Sequence, residues 1–137
     1  MAVTFFAVTL DCPDPDALAR FYQGFLGGKR AVSDEGDFAV LVLDGGEVRI
    51  DFQQAANPRP PRWPDPAAPR RHHLEFAVDE DMATMERRLR ELGATVQEHQ
   101  PGGDQFRVFT DPAGHLFCVA PRETTYVHGE LLDADRS

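Results

Sequence analysis

One plan of residues occurs twice in this chain, and that repetition restricts the fold more than any single motif. The opening stretch FFAVTLDCPDPDALARFYQGFLGG reads as strand, acidic turn, amphipathic helix and Leu-Gly stop; HHLEFAV at 72–78, with the acidic turn and helix that follow, reads the same way up to Leu92-Gly93. Leu26-Gly27 matches Leu92-Gly93 at an offset of 66, and the turn residue Asp44 matches Asp111 at an offset of 67. The halves therefore keep register to within one inserted residue. Each half is a strand, a helix and then two or three strands. The fold class is α+β, built from two pseudo-repeated βαβββ modules.

The local signals agree. Thr4 to Leu10 is rich in β-branched and aromatic residues, and Asp14-Pro15 supplies an N-cap followed by proline at the first helical position. Leu18, Phe21, Tyr22, Phe25 and Leu26 recur at helical spacing before the Gly27-Gly28 stop. Asp34 to Asp37 is an acidic turn, Phe38 to Leu43 a strand, Asp44-Gly45-Gly46 a hairpin turn and Val48 to Gln53 a strand. In the second half, His73 to Val78 is a strand. Asp81 caps a helix with the seam Met82, Met85, Leu89 and Leu92, and strands follow at Thr95 to Glu98, Phe106 to Thr110 and Leu116 to Ala120. His115 is a turn residue with no chemical role.

Between the halves, residues 54–71 change character, with six prolines among 18 residues, the only tryptophan, Trp63, and Arg59, Arg62, Arg70 and Arg71. Proline stiffens such a segment against regular ladders, so it is a linker or an ordered cover loop. The expected organisation is a single domain over 1–121, with modules at about 3–53 and 72–121 and a polar, acidic tail at 122–137.

Charge narrows the partners. Fourteen Lys and Arg against 23 Asp and Glu leave a formal net charge of −9, which argues against nucleic acid and suits a cationic or hydrogen-bond-donating small organic ligand. There is no apolar run of membrane-spanning length and no leader at Met1, so no membrane partner is expected. Cys12 and Cys118 lack metal-ligand spacing with each other and are read as free thiols, which places the chain in the cytoplasm.

Four stretches in order carry a resemblance: DPDALARFYQGFLG (14–27), RWPDP (62–66) with HHLEFAV, LRELGA (89–94) and DPAGHLFCV (111–119). Together they resemble the vicinal oxygen chelate superfamily of glyoxalases, bleomycin-resistance proteins and extradiol dioxygenases, in particular its glyoxalase-like domain subgroup. The resemblance implies a cup-shaped mixed sheet with helices outside, often in a homodimer. It also implies a divalent metal held by a His on the first strand of each module and a Glu on the last. Those positions fall here on Ala7, Asp51, His73 and Cys118, of which only His73 is the family residue.

Strand parity supports the same positions from the residues alone. Alternation places Ala7 with Thr9 and His73 with Glu75 on one face, and Val8, Leu10, Leu74 and Phe76 on the other. Arg49, Asp51 and Gln53 oppose Val48, Ile50 and Phe52; Cys118 opposes Phe117 and Val119. The expected ligand-binding residues are therefore Thr9, Phe38, Arg49, Asp51, Trp63, His73, Glu75, Phe106 and Cys118. A His-Asp-Cys set lacks the oxygen-rich character the resemblance implies, Asp51 is a methylene short and Ala7 offers no ligand. The expectation is no cofactor and no metal, with metal-independent binding of an antibiotic or metabolite in the manner of bleomycin-resistance proteins. The alternative is a lyase, isomerase or dioxygenase using a divalent metal, or acid-base chemistry by His73 and Glu75. Trp63 stacks on a ligand or anchors its loop, Arg49 and Asp51 pair with each other or touch ligand, and Cys118 is a small buried residue rather than a nucleophile.

Overall fold

The computed structural model describes residues 3–46, 48–56, 59–69 and 72–125. Arg70, Arg71 and residues 126–137, named above in the loop and the tail, lie outside the described residues. The chain forms two compact units, Met1–Pro60 and Pro61–Ser137. No helix among the described residues is long and apolar enough to cross a membrane.

The first unit contains β1 (Ala7–Cys12), α1 (Pro15–Leu26), β2 (Lys29–Val32), β3 (Phe38–Val42) and β4 (Arg49–Gln54). Its sheet has the order β1-β4-β3-β2, with β1 parallel to β4 and the other pairs antiparallel. The second unit repeats the plan with β5 (Leu74–Val78), α2 (Met82–Leu92), β6 (Thr95–Val96), β7 (Arg107–Thr110) and β8 (Leu116–Pro121). Its order is β5-β8-β7-β6, with β5 parallel to β8. The α+β reading with two βαβββ modules and mixed sheets is the fold that forms.

Both helices start as their sequences require. Asp14 accepts the Ala17 N–H at 3.2 Å and Asp81 accepts the Thr84 N–H at 3.1 Å, each satisfying a donor that the first turn leaves open. The apolar stripe of α1 buries Leu18, Phe21, Tyr22 and Phe25, and the helix packs on β2, β3 and β4. Register explains what it meets: Ala39 pairs with Phe52 and Leu41 with Ile50, so one face of the sheet is continuously apolar. Tyr22 stacks on Phe52 with ring centroids 5.9 Å apart. Burying each such ring contributes about 1.5–3 kcal/mol. Gly28 is fixed by a close approach, since at φ 92° a Cβ there would lie 2.4 Å from the Val42 carbonyl oxygen. In the second unit, Phe117 stacks on Phe109 at 5.4 Å and meets Phe76 edge-on at 5.9 Å, while Met85 and Leu89 of α2 are buried.

Some boundaries differ from the sequence reading. The first strand begins at Ala7 rather than Thr4 and runs on to Cys12, because its ladder partner β4 covers Arg49 to Gln54. Thr4 has no ladder partner in that sheet, and Val3, Phe5 and Phe6 are exposed. Strand β2 has no apolar alternation to announce it; it is an edge strand whose Arg30 is held by Asp16 and Gln23. Past β8, Arg122–Thr124 forms one turn of 3₁₀ helix, tied by Arg122 to Asp79 at 2.8 Å and by the Thr124 hydroxyl to the Gln105 carbonyl at 3.1 Å.

Candidate functional site

In the second unit, register brings chemistry together. Glu75 of β5 stands opposite Cys118 of β8, and side chains at paired positions leave a sheet on the same face. His73, one residue before β5, shares that parity. The donor atoms of His73, Glu75 and Cys118 all lie within 4.8 Å of one another. His73 Nε2 is 3.7 Å from Glu75 Oε1, too far for a hydrogen bond. The pair is therefore a convergence of donors rather than a hydrogen-bonded acid-base dyad.

The three donors differ in exposure. Cys118 is 3% exposed and forms a buried cluster with Val108 and Leu116, with Trp63 and Phe106 packed against it. The His73 side chain is 26% exposed and that of Glu75 73%. The sulfur thus lies on an apolar floor and the carboxylate faces water. Both cysteines are buried thiols outside any disulfide.

This set fits a metal ion. Donors around a tetrahedral ion with bonds of about 2.0–2.3 Å stand roughly 3.3–3.8 Å apart. The His73–Glu75 distance already lies in that range, and side-chain rotation can close the remainder without moving a strand. One imidazole, one carboxylate and one thiol also leave a fourth coordination position for solvent or substrate. The expectation that the chain needs no cofactor is corrected here. It missed Glu75 as a donor because it took the family positions one at a time, whereas the β5–β8 register decides which side chains meet.

Trp63 is half-buried, with its ring centroid 5.0 Å from that of His99 at a tilt of 53°. With Pro64, Gln97 and Glu98 these two rings line a cavity of about 430 Å³. The strand expected over Thr95 to Glu98 ends at Val96, so strand parity does not place Gln97, Glu98 or His99. Gln97 is placed by donating its N–H to the Val108 carbonyl at 3.0 Å. A larger cavity of about 530 Å³ is lined by Asp79, Glu80, Asp81, Glu86, Asp104, Arg107 and Glu123 among others. Its carboxylates are largely occupied: Asp79 pairs with Arg122, Glu80 with Arg88, and Glu86 with Arg90 and Arg107, while Asp81 caps α2. The candidate donor set is therefore the one that includes Cys118 rather than the carboxylates of the larger cavity. His115 is a turn residue, its N–H donated to the Asp111 carboxylate at 3.0 Å, and His72 is exposed.

Thr9, Phe38, Arg49 and Asp51 belong to the first unit. Thr9 pairs with Asp51 and Phe38 with Gln53 in the ladder. Of the two readings of Arg49, pairing is what forms: Arg49 donates from Nη2 to Asp51 Oδ2 at 3.1 Å, with the guanidinium carbon 4.9 Å from the Phe6 ring centroid. Arg49 Nε also lies 2.8 Å from Asp51 Oδ1, yet both atoms are buried without a hydrogen-bond partner. The short separation is thus an ionic contact with poor alignment. Ala7 carries no donor atom.

The two βαβββ modules define a fold class, and the family model for the glyoxalase-like domain matches residues 7–120: the chain belongs to that family. Among solved structures it is similar to the oxidase ChaP-H2, at 25% identity, TM-score 0.61 and coverage of 89% of this chain and 95% of that one. It also resembles a possible glyoxalase from Bacillus cereus, at 17% identity, TM-score 0.64 and coverage of 87% and 99%. A third likeness is to a variant of the fosfomycin resistance protein FosX from Listeria monocytogenes, complexed with Mn(II) and 1S,2S-dihydroxypropylphosphonic acid, at 17% identity, TM-score 0.64 and coverage of 88% and 90%. No curated protein matches the chain.

Proposed function

We propose that this chain is a metal-dependent enzyme of the glyoxalase-like family, of the lyase, isomerase or dioxygenase class, acting on a small organic molecule. The observation that carries the reading is the convergence of His73, Glu75 and Cys118 within 4.8 Å. The similarity to the oxidase ChaP-H2 and to a FosX that holds Mn(II) supports it.

His73, Glu75 and Cys118 would hold the ion. A bound divalent ion supplies Lewis-acid polarisation of a substrate oxygen. The chain's own part is to shape the surroundings. Val108 and Leu116 exclude water from the sulfur side, and Trp63 and His99 offer ring faces to an apolar or aromatic body. Exposed Glu75 leaves the other side open to solvent and substrate. The same reading includes one functional domain made of both units, a homodimer and a cytoplasmic location. Light scattering after gel filtration tests the dimer.

Elemental analysis of protein purified without chelator tests the function. One equivalent of a divalent transition metal, lost in His73→Ala together with turnover of a panel of aromatic metabolites and antibiotics, is the expected result. Metal-free protein that binds members of the panel unchanged overturns the reading.

A further inference from the structure

We infer that the second-unit site is built for a thiophilic, borderline ion such as Zn(II), Co(II) or Fe(II), and against the hard ions Mg(II) and Mn(II). This deepens the function proposed above and rests on it. Two independent features carry it.

The first is the donor set. Imidazole and thiolate favour zinc, cobalt and iron, whereas magnesium and manganese favour sites rich in carboxylate, carbonyl and water. Here one of three donors is a sulfur, and only one is a carboxylate. The second feature is the wall behind the sulfur. Hard octahedral ions dehydrate reluctantly and keep several waters, each of which needs hydrogen-bond partners. Around Cys118 the surface is made by Val108 at 0% exposure and Leu116 at 4%, with Trp63 and Phe106 packed against them. Aliphatic groups offer such waters nothing. An ion that accepts four ligands, three of them from protein, places no water against that floor. Both features select Zn(II) and four-coordinate Co(II), one through bonding and the other through hydration, while Fe(II) follows from the donor set alone.

The geometry also makes Cys118 the selecting residue. Glu75, the exposed carboxylate, serves a hard or a borderline ion, and the His73 imidazole leans toward the borderline ones. The sulfur is the softest of the three donors, and its position is fixed by the β8 ladder to β5 and β7.

Apo protein, prepared with chelator and dialysed, is titrated with Co(II), Zn(II), Mn(II) and Mg(II). Absorbance reports thiolate-to-cobalt charge transfer in the near ultraviolet, and the fluorescence of Trp63, the only tryptophan, reports occupancy for each metal. Expected are one equivalent of Co(II) with a charge-transfer band, displaced by Zn(II) but not by equal Mn(II) or Mg(II). Cys118→Ser should abolish the band and weaken Co(II) and Zn(II) by about 100-fold or more, with Mn(II) changed only a few-fold. Cys118→Asp should shift preference toward Mn(II). Circular dichroism confirms that each variant is folded, and the wild-type spectrum decides the matter if a variant is not. Co(II) bound without the band, or a Zn(II) to Mn(II) ratio unchanged in both variants, overturns the inference and leaves the proposed function standing. Failure of all four metals to bind overturns both.

Discussion

Replacing Gly102 by alanine tests the packing behind the candidate site. Gly102 lies outside the left-handed backbone region occupied by Gly103, so backbone strain is not the issue. A Cβ at Gly102 would lie 2.5 Å from Phe106 Cδ1 and 2.6 Å from Cε1 and Cγ. Carbon atoms in contact prefer about 3.5–4.0 Å, so the ring must move. The turn itself is held by the Gln105 N–H donated to the Gly102 carbonyl at 2.9 Å, and Phe106 is packed on Val108, Leu116 and Cys118. Overpacking of this kind costs about 1–3 kcal/mol. Gly→Ala also removes unfolded-state freedom, which stabilises by about 0.4–1 kcal/mol. Gly102→Ala should therefore destabilise by up to about 2.6 kcal/mol net. In a Phe106→Ala background the clash is gone, and the same substitution should stabilise by about 0.4–1 kcal/mol. Urea unfolding of the four proteins, compared at matched m-values, gives the coupling. An equal effect of Gly102→Ala in both backgrounds would refute the reasoning.

Asp81→Ala should lower stability by about 1 kcal/mol by leaving the Thr84 N–H without its acceptor, and Asp81→Asn should recover most of it in the same unfolding assay. Leu89→Ala, at a fully buried position of α2, should cost about 2–5 kcal/mol, read as a lower urea midpoint. Arg49→Met should destabilise by about 3 kcal/mol because it strands the Asp51 carboxylate, which is 4% exposed; the double variant Arg49→Met/Asp51→Leu should regain much of that loss, and a double variant no better than the single one would deny the ionic contact.

Periodic signals carried most of the fold. Asp14, Asp81, Gly27 and Gly93 mark helix ends by local chemistry, and such chemistry is visible in a few neighbouring residues. Strand β2 was not legible because its existence depends on pairing with β3, from Lys29 with Val42 to Val32 with Ala39. The site divided along the same line. Parity identified His73, Glu75 and Cys118 as members of one face, yet their meeting depends on the β5–β8 register, a non-local fact. His99 lies beyond the strand on either reading, and Gln97, counted within it from the sequence, lies past its observed end at Val96. The pairing of Arg49 with Asp51 was one of the two readings open in the sequence, because residues two apart on a strand share a face.

The repeat explains how the two halves could part company. Thr9 and Asp51 are paired on β1 and β4 as Glu75 and Cys118 are paired on β5 and β8, so equivalent strands present equivalent positions. In the first unit the charge on that face is cancelled internally, by Arg49 against Asp51. In the second, the three donor-bearing residues meet with no arginine recorded in an ion pair with Glu75 among the described residues. A carboxylate already engaged by a guanidinium has most of its attraction for an ion satisfied, and Glu75 is not so engaged among the described residues. The same backbone thus supports a structural ion pair in one module and a candidate ligand set in the other. The difference rests on a handful of side chains, chiefly Arg49 and Asp51 in the first and His73, Glu75 and Cys118 in the second.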